Sequence, residues 1–215
     1  MAFFRCSCCL TSLSRIALSR SLHLSPHLPV RPMAGFYTLP SKKEVDEYKN
    51  FVPDKFQFII KVPNSLTLPV FPQKDKTKPA KKNPGFLSID LYKQLLDLLK
   101  PIIKQTPFLI FQFRYLNKEM MPDLQTFENF FAEFIRQLPK SSPQIAVETR
   151  NGNYLKDSYF KFLSDHGLTH VFSEKIYMPP IAGVYEHHKE MIKGAAIIRL
   201  MGDDRGEIEK ATGEH

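Results

Sequence analysis

Five long polar side chains stand out for where they fall within apolar runs. They are Lys61 in FQFIIKVP (56–63), Gln112 in PFLIFQF (107–113), Glu148 and Arg150 in QIAVETR (144–150), and Arg199 in GAAIIRLMG (194–202). If each run is a β-strand, successive side chains alternate between its two faces. Lys61 then shares a face with Gln57 and Ile59, Gln112 with Ile110 and Arg114, Glu148 and Arg150 with Ala146, and Arg199 with Ile197. Each strand thus carries a polar group on one face, near its C-terminal end. Lys61, Arg150 and Arg199 around one carboxylate suit an anionic ligand, phosphate or carboxylate, held by charge-assisted hydrogen bonds. Glu148 is the candidate catalytic residue: flanked by arginines, it is fitted to accept a proton or orient a hydroxyl and poorly fitted to donate one. The bland alternative is a salt-bridge and amide network that closes one end of the sheet.

Other chemistries find less support. His166, His170, His187 and His188 have no carboxylate at ligand spacing in the sequence, and the adjacent pair His187–His188 should point apart on a helix, so all four are expected at the surface and no metal is expected. Cys6, Cys8 and Cys9 lack a second ligand pair at zinc spacing and cannot build a disulfide framework. No serine sits in a G-x-S-x-G turn. Neither G-x-G-x-x-G nor G-x-x-x-x-G-K-[ST] occurs, so no nucleotide cofactor, and no other, is expected.

The elements that would position these residues alternate. Ser41 with Glu44 three residues on reads as a capping box opening a helix to about Asn50. Ser88 caps a helix whose Ile89, Tyr92, Leu95, Leu96, Leu99 and Ile103 share a face. Leu124, Phe127, Phe130, Phe131, Phe134, Ile135 and Leu138 recur at helical spacing over 122–138. A helix over 155–166 is closed by Gly167, THVF (169–172) is a short strand, and 184–193 is a further helix. Helix and strand in strict alternation imply βα units on a parallel sheet, either a (β/α) barrel or an open doubly wound sheet.

The net charge of +8 invites a nucleic-acid reading, but it is localised. Residues 1–33 hold Arg5, Arg15, Arg20 and Arg31 and no acid; Lys74, Lys76, Lys78, Lys81 and Lys82 crowd a proline-rich loop over 64–85. The remainder is balanced. Nucleic-acid binding through Lys76, Lys78, Lys81 and Lys82 is therefore not favoured, because the loop lacks the interleaved aromatics on which bases stack. The serine- and arginine-rich stretch 1–33 matches the bias of a transit peptide, which would direct the chain to mitochondrion or plastid. A non-native extension of a cytoplasmic protein is the competing reading. No run approaches 18 apolar residues, so no transmembrane helix is expected.

The ordered set FYTLPS (36–41), FQFIIKVPN (56–64), NPGFLS (83–88), PFLIFQF (107–113), QLP (137–139), IAVETRN (145–151), HVFSEKIYMPP (170–180) and IIRLMGDDRGEIEKATG (197–213) resembles the YecE-like family, domain of unknown function 72. The resemblance covers 36–213. It implies a TIM-barrel-like fold with Tyr37, Lys61, Gln112, Glu148, Arg150 and Arg199 at the family's motif positions, and it implies no established reaction. Family members open on a strand with a Gly- and Trp-containing motif and continue past the Arg199 strand; this chain has no Trp and stops at His215. The expectation is a TIM-barrel-like parallel (β/α) barrel over 34–215 lacking its first and last strands, after a disordered tail over 1–33 that is transit-like or non-native. Its expected function is binding a small anionic ligand at the strand C-termini. A phosphoesterase or nucleic-acid-acting barrel enzyme and a non-catalytic scaffold are the alternatives.

Overall fold

The computed structural model describes residues 38–71, 81–175 and 177–199, and the backbone of two short strands nearer the N-terminus. These are β1 (Phe3–Arg5) and β2 (Met33–Gly35). There follow α1 (Lys42–Phe51), β3 (Ile59–Lys61), α2 (Asn64–Thr67), α3 (Ile89–Leu99) and β4 (Phe108–Phe113). Then come α4 (Leu124–Arg136), β5 (Gln144–Thr149), α5 (Asp157–Asp165), β6 (Thr169–Ser173), α6 (Ile181–His188) and β7 (Ala196–Arg199). All pairings are parallel, in the order β1-β7-β6-β5-β4-β3-β2. From β2 to β7 each strand lies beside its successor, with a helical crossover between. That connectivity curls the sheet into a partial barrel-like α/β fold. The sequence expects no strand at Phe3–Arg5 or Met33–Gly35; the structure pairs them with β7 and β3.

Local chemistry sets the helix ends. Ser41 Oγ accepts from Glu44 N at 3.2 Å, and Glu44 Oε2 accepts from Ser41 N at 2.7 Å, completing the capping box. Ser88 Oγ accepts from Leu91 N at 3.3 Å, and Asp123 Oδ1 from Thr126 N at 2.7 Å. Gly167 (φ +64°) closes α5: its N–H reaches Ser164 O and Leu168 N–H reaches Leu163 O, the paired bonds of a Schellman motif. The loop over 64–85 is anchored at its base. Asn83 Nδ2 donates to Ser65 O at 2.8 Å and Leu68 O at 2.7 Å, and its Oδ1 accepts from Gly85 N at 2.9 Å. Lys81 and Lys82 are exposed; Lys76 and Lys78 lie outside the described residues.

Strand alternation divides the core in two. Leu109, Phe111, Phe113, Ile145, Val147 and Phe172 face the helices, where they meet Tyr92, Leu95, Leu99, Phe127, Phe131, Phe134 and Phe160. Phe113 sits edge-on to Phe127 with ring centroids 4.9 Å apart, a geometry the aromatic quadrupole favours. On the other face Ile59, Phe108, Ile110, Ala146, Val171 and Ile197 form a smaller apolar cluster. On α4 the sequence places Phe130 with the buried stripe. The structure corrects this: Phe130 is 54% exposed, and Glu128 is buried.

Candidate functional site

The smaller apolar cluster is the floor of the site. Two residues further along each strand, on the same face, stand Gln112 on β4, Glu148 on β5, Ser173 on β6 and Arg199 on β7. Register sets Gln112 opposite Glu148 and Ser173 opposite Arg199, while the pairing of Ala146 with Thr169 puts Ser173 and Arg199 one same-face step beyond Glu148, at the height of Arg150. Glu148 is fully buried and is the hub. Its Oε1 accepts from Gln112 Nε2 at 2.8 Å and lies 2.7 Å from Arg150 Nη2; its Oε2 accepts from Arg199 Nη1. Arg150 Nη1 also reaches Ser173 Oγ at 3.4 Å.

The strand ends that carry these groups are themselves fixed. Arg150 N–H continues the ladder to Phe113 O, and Glu174 N–H to Arg199 O. Just beyond, Asn151 accepts from Leu116 N at 2.8 Å through Oδ1 and donates to Leu116 O at 2.9 Å through Nδ2. This amide clasp joins the segments leaving β4 and β5 at the rim.

Among the described residues two guanidiniums share the one carboxylate of Glu148 in a buried setting. Burial lowers the pKa of Arg150; Glu148 opposes that change, and repulsion from Arg199 adds to it. Both Glu148 oxygens are engaged by guanidinium or amide donors, which makes the cluster a poor ligand set for a cation and a better one for an anion.

Of the six residues named from the sequence, the structure brings together Gln112, Glu148, Arg150 and Arg199. Lys61 lies on the same sheet face but is in register with Ile110, one step below Gln112. Tyr37 lies outside the described residues. Arg114 is exposed beyond the end of β4. Ser173 and Asn151 were not singled out as site residues. Ser173 was one residue from view: reading β6 as THVFS instead of THVF puts it on the parity of Val171.

The histidines need correction. His170 and His188 are each only 5% exposed. Tyr159 Oη and His170 Nδ1 are 3.2 Å apart, and burial pushes His170 down to about 3. His187 and His188 do not point apart; both turn Nε2 toward Asp157.

The family model described as protein of unknown function DUF72 matches residues 34–214. The chain belongs to the DUF72 family. The solved structure of a DUF72 family protein from Thermotoga maritima is similar to this DUF72 chain, with 14% sequence identity and a TM-score of 0.45, over 80% of this chain and 76% of that one. No curated protein matches it. No helix among the described residues is long and apolar enough to cross a membrane.

Proposed function

We propose that this DUF72 chain binds a small anionic ligand, phosphate-bearing or carboxylate, over the C-terminal ends of β4 to β7. The observation that carries the reading is the two-to-one ratio of guanidinium to buried carboxylate at Glu148, Arg150 and Arg199. Arg150 is the natural contact. Its side chain is 15% exposed against 7% for Arg199, and its Nη1 makes a 3.4 Å bond to Ser173 Oγ. An incoming oxyanion would replace that bond with a stronger charge-assisted one. Lys61, on the same face, and Tyr37, assigned by family resemblance, complete the proposed ligand set. Taking the curled sheet as part of a TIM-type barrel, this is the end at which such barrels carry their sites. Within this reading Glu148 holds both arginines and orients a ligand hydroxyl.

The test is a titration of the full chain with inorganic phosphate and with a sugar phosphate. Arg150→Gln should weaken binding at least tenfold while leaving the melting temperature within a few degrees. Equal affinity in the variant and the parent would overturn the proposal.

A further inference from the structure

On the helical side of the sheet, the first turn of α5 meets the last turn of α6. Asp157, His187 and His188 there each offer one ligand atom, all within 4.8 Å of one another. His187 Nε2 and His188 Nε2 lie 3.5 and 3.3 Å from the same oxygen, Asp157 Oδ1. Those are the spacings of ligands sharing one ion: tetrahedral bonds of about 2.1 Å put neighbouring ligand atoms roughly 3.4 Å apart.

The state of His188 points the same way. Its Nδ1 is 2.9 Å from Val184 O, a carbonyl that can only accept, so Nδ1 carries the hydrogen. In the neutral ring Nε2 then presents a lone pair. That atom is buried without a hydrogen-bond partner, and it faces a carboxylate oxygen that is also an acceptor. A ring nitrogen freed by a backbone carbonyl on the opposite nitrogen is the usual arrangement of a metal-binding histidine. His188 is held there by stacking on Phe160, with centroids 4.0 Å apart at 26°. A proton would satisfy one imidazole–carboxylate contact; one cation between the three atoms satisfies both.

We propose that Asp157, His187 and His188 bind a first-row divalent metal ion of the zinc type, through both Nε2 atoms and the carboxylate. Two imidazoles and one carboxylate select zinc, nickel or copper over magnesium or calcium. The C-terminal dipole of α6 favours a cation at this point, while Lys156, which lines the same cleft, opposes it. The cleft, about 410 Å³ and lined also by Leu155 and Ser158, leaves the remaining coordination positions open to water. The ion joins α5 to α6 and, unlike a closed structural site, keeps an exchangeable face.

The test uses the full chain with Cys6, Cys8 and Cys9 changed to Ser, so that thiolates do not take up the ion. Zinc is titrated by calorimetry and cobalt by its visible absorption. One equivalent should bind and raise the melting temperature. His187→Ala and Asp157→Asn should each weaken binding at least tenfold and abolish the tetrahedral cobalt spectrum. Both side chains are mostly exposed, at 70% and 66%, so both variants should melt like the parent when metal-free. No uptake by the parent, or equal affinity in both variants, would overturn the site.

Discussion

Arg199 on β7 donates to Glu148 on β5 across the intervening strand β6. On a flat sheet those strands are roughly 9.6 Å apart, two interstrand spacings. The concave face and the length of the arginine close that gap, so the ion pair ties together strands that share no backbone hydrogen bonds. Glu148→Gln removes the charge and keeps the shape, and takes from both guanidiniums the carboxylate they share. Breaking one partner of a buried pair costs about 3–5 kcal/mol. Urea unfolding of the variant should show a loss of that size, with an unchanged m-value. A loss below about 1 kcal/mol would mean that the carboxylate does not hold the arginines.

Gln112 makes a smaller contribution to the same hub. Its amide donates to Glu148 Oε1, which Arg150 also approaches. Gln112→Leu should therefore cost about 1.5–3 kcal/mol, the range for a hydrogen bond to a charged group, and less than Glu148→Gln. The two losses should also fall short of adding in the double variant, because both act through one carboxylate. Additive losses in chemical denaturation would show that the two side chains act independently.

The strand-end cluster was legible because period-two alternation is a strict rule: once four apolar runs are read as strands, parity alone puts Gln112, Glu148 and Arg199 on one face. Ser173 was missed because a strand end is less legible than a strand interior. The helix stripes were harder. Phe127, Phe131 and Phe134 on α4 are unambiguous, yet Phe130 and Glu128 flank them on opposite sides. Leu124, Ile135 and Leu138 draw the stripe's centre toward Glu128, and that tilt decides which neighbour is buried. The proximity of Asp157 to His187 and His188 had no signal in the sequence, since it arises from packing two helices distant along the chain. The burial of His170 did have one: in THVFS it shares parity with Phe172, on the face turned toward the helices.

Glu128 supplies a pH-dependent test. Its Oε1 is buried without a partner, and burial raises its pKa above the ordinary 4.5, with His166 opposing. A carboxyl whose pKa is raised on folding favours the folded state fully only below its unfolded pKa, and that contribution is lost as pH rises through the folded value. At pH 7 the folded chain thus bears the cost of a poorly solvated charge. Glu128→Gln should stabilise by about 1 kcal/mol at neutral pH, the low end of the penalty for an unsatisfied buried group, and by almost nothing near pH 4. A gain of the same size at both pH values would trace to packing instead of charge.

His170 acts in the opposite direction. Its ring is enclosed by Tyr159, Phe160 and Phe172, at centroid distances of 5.6, 5.0 and 4.6 Å. Desolvation, and secondarily the proximity of His188, depress its pKa from the ordinary 6.5 to about 3. A group depressed on folding contributes stability above its unfolded pKa and loses it as pH falls toward the folded value. The wild-type chain should therefore weaken between about pH 6.5 and pH 3, by up to roughly 4 kcal/mol at 1.36 kcal/mol per unit. His170→Gln retains an acceptor for the Tyr159 hydroxyl and does not titrate. It should be less stable than the parent at pH 8, through poorer packing among the three rings. Its stability should then fall less steeply as the solution is acidified, so that the two curves converge. Thermal melts at half-unit steps from pH 8 to pH 4 measure both slopes. Parallel curves would show that His170 is not the residue that senses acid.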